Sequence, residues 1–274
     1  MAESAEVAQP AGPPAAGADP DLHSALEQLA GAGRLLVALD FDGVLAPIVE
    51  HAADARPLPE AAAAVLELAG LPGTTTAFIS GRALASLRLV AAPDERTLLI
   101  GSHGGEVFTG PDSPPLTLDA AQARALAEAT AAVERVVAAH PGTILEAKPA
   151  GVVLHTRTAA DEVAAAATAQ ARALLQEIDG VHLSDGKRVL ETSVISADKG
   201  RGVELLRAFT GADAVLFAGD DVTDENAFAV LRGQDVGIKV GPGDTGARYR
   251  VDSPQAFAAV LAELARLRAA AVRR

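Results

Sequence analysis

The chain has no cysteine and no tryptophan, and aromatic residues make up only 3% of its 274 residues. The absence of cysteine excludes a disulfide framework and a thiolate metal site. It also fits a reducing compartment, so a cytoplasmic location is expected. No apolar run approaches the roughly 18 residues of a membrane span, so no membrane association is expected.

Positive charge is also scarce. Lysine and arginine number 23 against 36 acidic residues, which gives a formal net charge of −13. This balance argues against a nucleic-acid-binding surface. An anionic ligand would therefore have to be held by a local group of cations. The length of the chain is typical of two domains, and its 49% hydrophobic content suits a soluble protein with a proper core.

The first twenty residues contain four prolines and no aromatic residue. They carry no basic segment and no apolar stretch, so they are not expected to be a signal peptide. Their composition predicts a disordered tail over residues 1–20.

Buried strands and helices alternate in two parts of the sequence. Between residues 34 and 102 the order is β-α-β-α-β, and the alternation resumes after Ser196 with two further strands and three helices. This order predicts a parallel sheet with right-handed crossovers, a Rossmann-like α/β core. The core is predicted to comprise residues 21–110 and 191–274.

The segment between these parts has a different pattern. Asp119 is placed to cap one long alanine-rich helix, Asp161 begins a second, and a candidate β-hairpin follows each helix. The first hairpin is predicted to turn at residues 149–151 and the second at Asp185-Gly186. Helix-hairpin-helix-hairpin is an α+β unit, so residues 111–190 are predicted to be a cap inserted into the core.

Asp40 and Asp42 come immediately after an apolar strand, LLVALDFDG. The carboxyl ends of strands are where open α/β sheets bind ligands. A carboxylate is already ionised at neutral pH, so Asp40 can attack phosphorus without a separate base. Asp42 can then protonate the leaving alkoxide and later deprotonate a water molecule. The alternative is an ordinary Asp-Gly turn after a strand.

Three further segments are each predicted to fall at a strand end. Ser80, in AFISGR, offers a hydroxyl and, with Gly81 and Arg82, the amides of a helix start, which suit phosphate oxygens. Lys199, in DKG, can neutralise charge on a phosphoryl group. The third is the acidic segment GDDVTDE. Any one could be a helix cap or a solvated loop residue, but their joint occurrence favours a phosphate site.

The acidic segment predicts a metal ion. Two unit charges about 4 Å apart repel by roughly 4 kcal/mol at an effective dielectric near 20, so these carboxylates and a phosphate need a cation between them. Oxygen ligands beside phosphate favour Mg²⁺. We predict Asp220 as a direct ligand and Asp224 as an indirect or water-mediated one, and the role of Asp221 stays open. The predicted metal-site residues are Asp40, Asp42, Asp220 and Asp224.

The segments DFDGV, ISGR, DKG and GDDVTDE, in this order, resemble the four motifs of the haloacid dehalogenase-like (HAD) phosphatases. The resemblance covers most of the chain after residue 35. It implies catalysis by Asp40, Asp42, Ser80 and Lys199 through an aspartyl-phosphate intermediate, with Mg²⁺ as cofactor. It also implies that the insertion is an α/β cap of the C2 type.

Within that superfamily the sequence is similar to the trehalose-6-phosphate phosphatases. The similarity rests on DFDGVLAPI, GSHGGE, the E-x-K and H-x-R pairs of the cap, and VGIKVGPGDTGARYRV. It implies hydrolysis of trehalose 6-phosphate to trehalose and phosphate, a step of trehalose biosynthesis.

The cap pairs suit a sugar on physical grounds as well. Glu146 and Lys148 share a strand parity, as do His155 and Arg157, so each pair projects from one face. Together they would offer sugar hydroxyls both charged and neutral hydrogen-bonding groups, although they could instead be ordinary polar residues on a wet sheet face. Further candidates for substrate contact are Lys187, Arg188 and Glu191, on the second hairpin and its exit to the core, and His103 and Glu106 from the core side.

Residues 241–246, GPGDTG, match G-x-G-x-x-G formally. They precede an extended-looking segment where a phosphate-binding loop needs a helix, so we interpret them as a turn-rich loop.

Three alternatives to a trehalose-6-phosphate phosphatase stay open. The chain could act on sucrose phosphate, a mannosyl phosphate or a hexose phosphate. A phosphosugar mutase would use the same aspartyl phosphate, and a non-catalytic binding protein could share the fold. In each case the expected partner is a small sugar phosphate and not nucleic acid or a membrane, and the working expectation for the assembly is a monomer.

Overall fold

The computed structural model describes residues 20–113, 116–196 and 198–273. The predicted disordered tail lies outside these residues, apart from Pro20 at the start of the first helix. No helix in the described part of the chain is long and apolar enough to cross a bilayer.

The elements follow the predicted alternation closely. The described helices are α1 (Pro20–Ala30), α2 (Pro59–Gly70), α3 (Leu84–Ala91), α4 (Ala120–Ala139), α5 (Asp161–Gln176), α6 (Lys199–Thr210), α7 (Glu225–Ala229) and α8 (Pro254–Ala271). The described strands are β1 (Leu35–Leu39), β2 (Thr74–Ile79), β3 (Leu98–Gly101), β4 (Glu106–Phe108), β5 (Ile144–Lys148), β6 (Gly151–His155), β7 (His182–Gly186), β8 (Val189–Ser193), β9 (Ala214–Gly219), β10 (Val236–Val240) and β11 (Tyr249–Val251).

The first sheet has seven strands in the order β11-β10-β9-β1-β2-β3-β4. All neighbouring pairs are parallel except β3 and β4, which confirms the predicted parallel α/β core. All five residues of β1 are buried because helices cover both faces. Leu35, Val37 and Leu39 pack in one hydrophobic cluster with residues of α1, α2 and α8. Leu36 and Ala38 pack on the other face with residues of α6 and α7.

The second sheet has four antiparallel strands in the order β5-β6-β8-β7. Helices α4 and α5 cover one face through a separate apolar cluster that includes Val133, Leu154 and Leu190. Asp119 caps α4 as predicted, in a reciprocal capping box with Gln122. The chain enters this unit after β4 and leaves it after β8, so the insertion interrupts the first sheet in sequence.

Both hairpins turn at positions that differ from the prediction. The first turn contains only Pro149 and Ala150, and Gly151 belongs to β6, where a Cβ atom would lie 2.1 Å from the carbonyl oxygen of Thr192. The second turn is at Lys187-Arg188 instead of Asp185-Gly186. With this turn, β7 and β8 form five residue pairs, from Gly186 opposite Val189 to His182 opposite Ser193.

Three further features differ from the prediction. Strand β8 extends to Ser193 in the second sheet, so the predicted cap boundary at residue 190 cuts through that strand. The predicted helix 224–232 is a short 3-10 turn followed by α7. Strand β4, which begins at Glu106, was not predicted.

Candidate active site

Asp40 follows β1 at the carboxyl edge of the first sheet and is 5% exposed. Its N–H donates to the carbonyl of Ala218 at the end of β9 (3.0 Å), and its Oδ1 accepts from the N–H of Phe41 (2.7 Å). These bonds hold the carboxylate at the point where β1 and β9 end together.

The chain then turns sharply at Gly43, whose φ is +77°. A Cβ atom at this position would lie 2.1 Å from Oδ2 of Asp220, so only glycine fits without a shift of one of the two loops. The turn thus brings the loop that carries Asp42 into contact with the loop that carries Asp220.

Lys199 places a buried cation between Asp40 and Asp224. Its side chain is 2% exposed, and its Nζ lies 2.8 Å from Oδ2 of Asp40 and 2.6 Å from Oδ1 of Asp224. Burial alone would lower the pKa of Lys199, but the charges of Asp40 and Asp224 outweigh burial and raise it, so the ammonium stays protonated. Lys199 opens α6, with Asp198 as the N-cap. Strand β8 ends at Ser193, several residues earlier, so the prediction that Lys199 falls at a strand end was wrong.

Asp40, Asp220 and Asp224 form an acidic cluster in which one oxygen of each lies within 4.8 Å of the others. Burial raises the pKa of Asp40 well above its usual value, and Asp224 and Asp220 add to the shift against the opposing effect of Lys199. Burial and then Asp224 raise the pKa of Asp220 to about 6. One ammonium therefore does not compensate three carboxylates.

A hard divalent cation fits this cluster, because its donors are all oxygen and carry excess negative charge. Asp40 and Asp220 have the oxygens available to bind it. Asp224 is fully buried, with Oδ1 on Lys199 and Oδ2 accepting the N–H groups of Asp220 (2.9 Å) and Asp221 (2.8 Å). Both oxygens of Asp224 are thus already engaged, which fits the prediction that it is an indirect or water-mediated ligand of the metal ion. The carboxylate of Asp42 is absent from the cluster.

Asp42 is instead paired with Arg82. Nε and Nη2 of Arg82 donate to the two carboxylate oxygens at 2.6 and 2.7 Å. The guanidinium also lies 5.6 Å from the centre of the Phe41 ring. Arg82 thus fixes the predicted acid-base residue in a bidentate ion pair.

Ser80 follows β2, as predicted, and is 1% exposed. Its Oγ accepts the N–H of Arg82 at 3.2 Å. The carbonyl of the next residue, Gly81, accepts a bond from Nζ of Lys148 in the second sheet (3.0 Å). This segment therefore joins the phosphate side of the site to the inserted unit.

A cavity of about 300 Å³, the reaction cavity, lies between the two sheets. The first sheet and its loops contribute Asp40, Asp42, Ser80, Gly81, Arg82, Lys199, Asp220 and Asp221 to its lining. The inserted unit contributes Glu146, Lys148, Arg157, Lys187 and Glu191. Most of the predicted site residues are therefore brought together.

The polar residues of the inserted unit make three contacts beside the reaction cavity. His155 does not line the cavity but bonds to Oε2 of Glu146 (2.7 Å), and this hydrogen bond lowers the pKa of Glu146. Nζ of Lys148 lies 3.5 Å from Oε1 of Glu191. Arg157 donates to the carbonyl of Glu50 in the loop after β1 (2.7 Å).

Besides His155, two predicted substrate residues do not line the reaction cavity. Arg188 sits in the second hairpin turn with a φ of +66°, and its guanidinium bonds to Asp161 (2.7 Å) and the carbonyl of Ala159 (3.0 Å), away from the reaction cavity. Glu106 accepts bonds from the N–H of Leu84 and the hydroxyl of Ser102, so its role is local support. The side chain of His103 is outside the described part of the structure.

The sequence reasoning missed several residues. Ile48, Val49, Ala52, Ser86 and Thr223 also line the reaction cavity. Lys239, in β10, is 3% exposed and donates to the carbonyl of Asp220 (2.8 Å), which fixes the acidic loop from the neighbouring strand. A lysine inside the apolar run VGIKV was the signal that could have identified it.

Comparisons with known proteins agree with this geometry. The family model for trehalose-phosphatase matches residues 38–255. The trehalose-phosphate phosphatase of Mycobacterium avium (strain 104) is 36% identical over 239 residues, which cover 80% of this chain and 59% of that protein. The chain thus matches little more than half the length of that curated relative.

Solved structures show the same fold. The C-terminal domain of C. albicans trehalose-6-phosphate phosphatase superposes with a TM-score of 0.75 at 21% identity, covering 90% of this chain and 96% of that one. A trehalose-6-phosphate phosphatase related protein gives 0.70 at 23% identity, covering 85% and 97%. These likenesses confirm the predicted HAD-like α/β fold.

Proposed function

Because the chain belongs to the trehalose-phosphatase family, we propose that it is a phosphatase that hydrolyses trehalose 6-phosphate to trehalose and phosphate. The strongest support is one juxtaposition: Asp40, Lys199 and Asp220 meet at the carboxyl edge of the first sheet, and the polar face of the second sheet lines the same cavity. The three charged residues suit a phosphate ester, and the polar sheet face suits a sugar.

In the first step, the carboxylate of Asp40 attacks phosphorus and the bond from phosphorus to the sugar oxygen breaks. This forms an aspartyl phosphate on Asp40. Lys199 balances negative charge at the phosphoryl oxygens, and Ser80 and the Gly81 amide bind them. Asp42 enters this step in its protonated form, which the second step regenerates, and gives its proton to the departing sugar oxygen, so the sugar leaves as a neutral alcohol.

In the second step, Asp42 takes a proton from water, and the resulting hydroxide attacks phosphorus and breaks the aspartyl phosphate. Both oxygens of Asp42 are engaged by Arg82 in the structure described here. Arg82 must therefore release at least one of them before Asp42 can reach the sugar oxygen. Once released, the guanidinium is free to contact the substrate phosphate.

We propose Mg²⁺ as the cofactor, held by Asp40 and Asp220 with Asp224 behind them. When bound, it supplies a positive charge that polarises the phosphoryl group. The requirement follows from the three carboxylates that share the single ammonium of Lys199.

The inserted unit, residues 111–193, is proposed to act as a cap that binds the sugar. Glu146, Lys148, Lys187 and Glu191 face the reaction cavity as hydrogen-bonding groups, and Arg157 joins the cap to the loop at Glu50. Closure of such a unit would exclude bulk water from the aspartyl phosphate. Cytoplasmic location and a monomeric state remain predictions, and the second is testable by sedimentation.

The direct test is phosphate release from a panel containing trehalose, sucrose, mannose and glucose phosphates, with Mg²⁺ or with EDTA. We expect Mg²⁺-dependent release with a clear preference for trehalose 6-phosphate, and an Asp40→Asn variant should be folded but inactive. Equal release across the panel would contradict the proposed substrate. No release from any sugar phosphate would favour a binding protein, and phosphate transfer between sugar positions would favour a mutase.

A further inference from the structure

Lys239 is a buried cation that takes no part in the two proposed chemical steps. It lies in β10, within the apolar run VGIKV, and is 3% exposed. In the sheet register it is paired with Gly219 of β9, the residue directly before Asp220. Ile238 packs in the cluster beneath α1, α2 and α8, so the side chain of Lys239 lies on the opposite face of the sheet. A charge buried at this position needs polar partners.

The ammonium group of Lys239 finds those partners in the main chain of the acidic loop. Its Nζ donates to the carbonyl of Asp220 (2.8 Å) and, at longer range, to the carbonyl of Asp221 (3.4 Å). Its ion pair with Glu225 is longer still, with Nζ 3.8 Å from Oε1. That oxygen is buried and accepts no hydrogen bond from the residues that the structure describes. The short bonds of Lys239 are therefore made to backbone carbonyls and not to a carboxylate.

The peptide group that joins Asp220 to Asp221 is bonded at both of its polar atoms. Its carbonyl, from Asp220, accepts from Lys239, and its N–H, from Asp221, donates to Oδ2 of Asp224 (2.8 Å). The N–H of Asp220 donates to the same oxygen (2.9 Å). Because a peptide group is planar, these bonds fix its orientation and hold the backbone on both sides of the Asp220 Cα atom. The direction of the Asp220 carboxylate is set by that backbone.

The two side chains that bond to this peptide group come from different elements. Asp224 follows the acidic loop in sequence, and it can approach the loop because Gly219 has no side chain, since a Cβ there would overlap the carboxyl group of Asp224. Lys239 approaches from the neighbouring strand. Asp224 also accepts from Lys199, so an unbroken series of hydrogen bonds runs from Lys199 through Asp224 and the peptide group to Lys239.

We propose that Lys239 is a positioning residue for Asp220. It holds the peptide group between Asp220 and Asp221 in the orientation that directs the Asp220 carboxylate toward the acidic cluster with Asp40. The inference rests on the proposed function, since it assumes that Asp220 binds Mg²⁺. Lys239 is not among the described residues that line the reaction cavity, so it acts through Asp220 and not on the substrate.

The charge of Lys239 and its positioning role predict opposite effects on Mg²⁺ binding. A positive charge close to the cluster repels a cation, so loss of the charge alone would tighten Mg²⁺ binding. Loss of a group that orients a metal ligand weakens binding, by about tenfold to a hundredfold in metal sites. The sign of the change therefore distinguishes a positioning residue from a charge that only lies nearby.

The test measures Mg²⁺ binding to the full chain by calorimetry, without substrate. We expect Lys239→Met, which has neither the charge nor the donors, to weaken Mg²⁺ binding about tenfold or more. Lys239→Gln, which is shorter and neutral but retains an N–H donor, should lie between the parent and Lys239→Met. The Mg²⁺ concentration that gives half-maximal phosphate release should rise in the same order.

Ile238→Ala is the matched control, because it removes buried atoms from the same strand on the opposite face of the sheet. It should lower the melting temperature in EDTA. Its Mg²⁺ dissociation constant should stay within about twofold of that of the parent. Circular dichroism reports whether Lys239→Met is folded, and Lys239→Gln decides the question if it is not.

Two results would overturn the positioning role of Lys239. One is unchanged or tighter Mg²⁺ binding by the Lys239 variants, and the other is an equal loss of Mg²⁺ binding in Ile238→Ala, which would assign the effect to lower stability. A parent chain that binds no Mg²⁺ would instead refute the proposed cofactor, and the role of Lys239 with it.

Discussion

Among single residues, Asp220 is a member of the acidic cluster whose ionisation is coupled to stability. Its pKa is about 6 in the folded chain against an ordinary value of 3.8, because burial and Asp224 disfavour the ionised form. The folded state therefore binds a proton more tightly than the unfolded state does. The free energy of unfolding should therefore fall as the pH rises from 3.8 to about 6, and this loss of stability is complete above pH 6.

Replacing Asp220 with Asn should therefore stabilise the metal-free protein at pH 7.5, by on the order of 2 kcal/mol, and have little effect near pH 4. Mg²⁺ should raise the melting temperature of the parent at pH 7.5 but not that of Asp220→Asn. Thermal unfolding with and without EDTA at the two pH values checks both points. A variant less stable than the parent at pH 7.5 would refute the argument.

Gly43 provides a second test among single residues. Gly43→Ala should reduce phosphatase activity more than tenfold, because the new Cβ would displace the carboxylate of Asp220, 2.1 Å away. Gly241→Ala is the matched control, since Gly241 has nearly the same φ (+80° against +77°) but no heavy atom within 4 Å of the added Cβ. Both should share the backbone strain of about 1 kcal/mol, and only Gly43→Ala should lose activity. Equal losses would assign the effect to strain.

Several site residues could be predicted because position in a parallel sheet fixes them. Asp40, Ser80 and Asp220 each follow a buried strand, and the carboxyl ends of such strands share one edge. The pairing of Asp42 with Arg82 could not be predicted, because it depends on side-chain rotamers 40 positions apart in sequence. For the same reason Arg188 was placed in the site, although its guanidinium bonds to Asp161.

Among the elements, α8 packs on the first sheet and also bonds, through the side chain of Arg268, to loops at the amino-terminal edge of that sheet. Arg268 is 2% exposed, burial lowers its pKa, and no carboxylate in the described ranges pairs with it. It donates instead to carbonyl groups in the connections before β1 and β2, and to the hydroxyl of Thr74. The guanidinium of Arg268 thus provides hydrogen-bond donors for backbone carbonyl groups in two loops that have little secondary structure of their own.

Arg268→Met should lower the free energy of unfolding by about 2–4 kcal/mol, because several buried carbonyl groups lose their donor. The melting temperature should fall by roughly 5–12 °C. Arg266→Met, an exposed change on the same helix, should have almost no effect. Thermal unfolding of both variants is the measurement, and similar melting temperatures for the two would show that the Arg268 bonds contribute little.

The predicted element order was correct wherever the hydrophobic pattern was clear, as in the continuous apolar runs of β1 and β9. The hairpins show what limited the prediction of the elements. Asp185-Gly186 is a favourable local turn, yet pairing along β7 and β8 prevailed and moved the turn to Lys187-Arg188. Strand β4 has only three residues, all half-buried, and so carries no clear period.

For the whole molecule, the two sheets have separate hydrophobic cores. Leu154 belongs to the cluster beneath α4 and α5, whereas Leu216 belongs to the large cluster beneath α1, α2 and α8. The insertion contacts the rest of the chain partly through polar groups, such as Lys148 on Gly81 and Arg157 on Glu50. Because the cores are separate and the contacts between them are partly polar, we expect the insertion to unfold independently of the rest of the chain.

Calorimetry of the full chain should accordingly show two transitions. Leu154→Ala and Leu216→Ala each empty a fully buried position and should cost about 2–5 kcal/mol, each lowering the temperature of a different transition. A single transition in which the calorimetric and van't Hoff enthalpies agree, shifted by both variants alike, would instead show one cooperative unit.

The insertion is connected to the remainder of the chain at only two points, after β4 and after β8. The groups proposed for bond breaking lie on the remainder, and nearly all those proposed for choosing the sugar lie on the insertion. Mutation can therefore act on one set without disturbing the other. Substitutions confined to the insertion can therefore change which substrate is accepted while the reacting residues stay the same. A different insertion could also be grafted at the same two junctions to change the substrate by design.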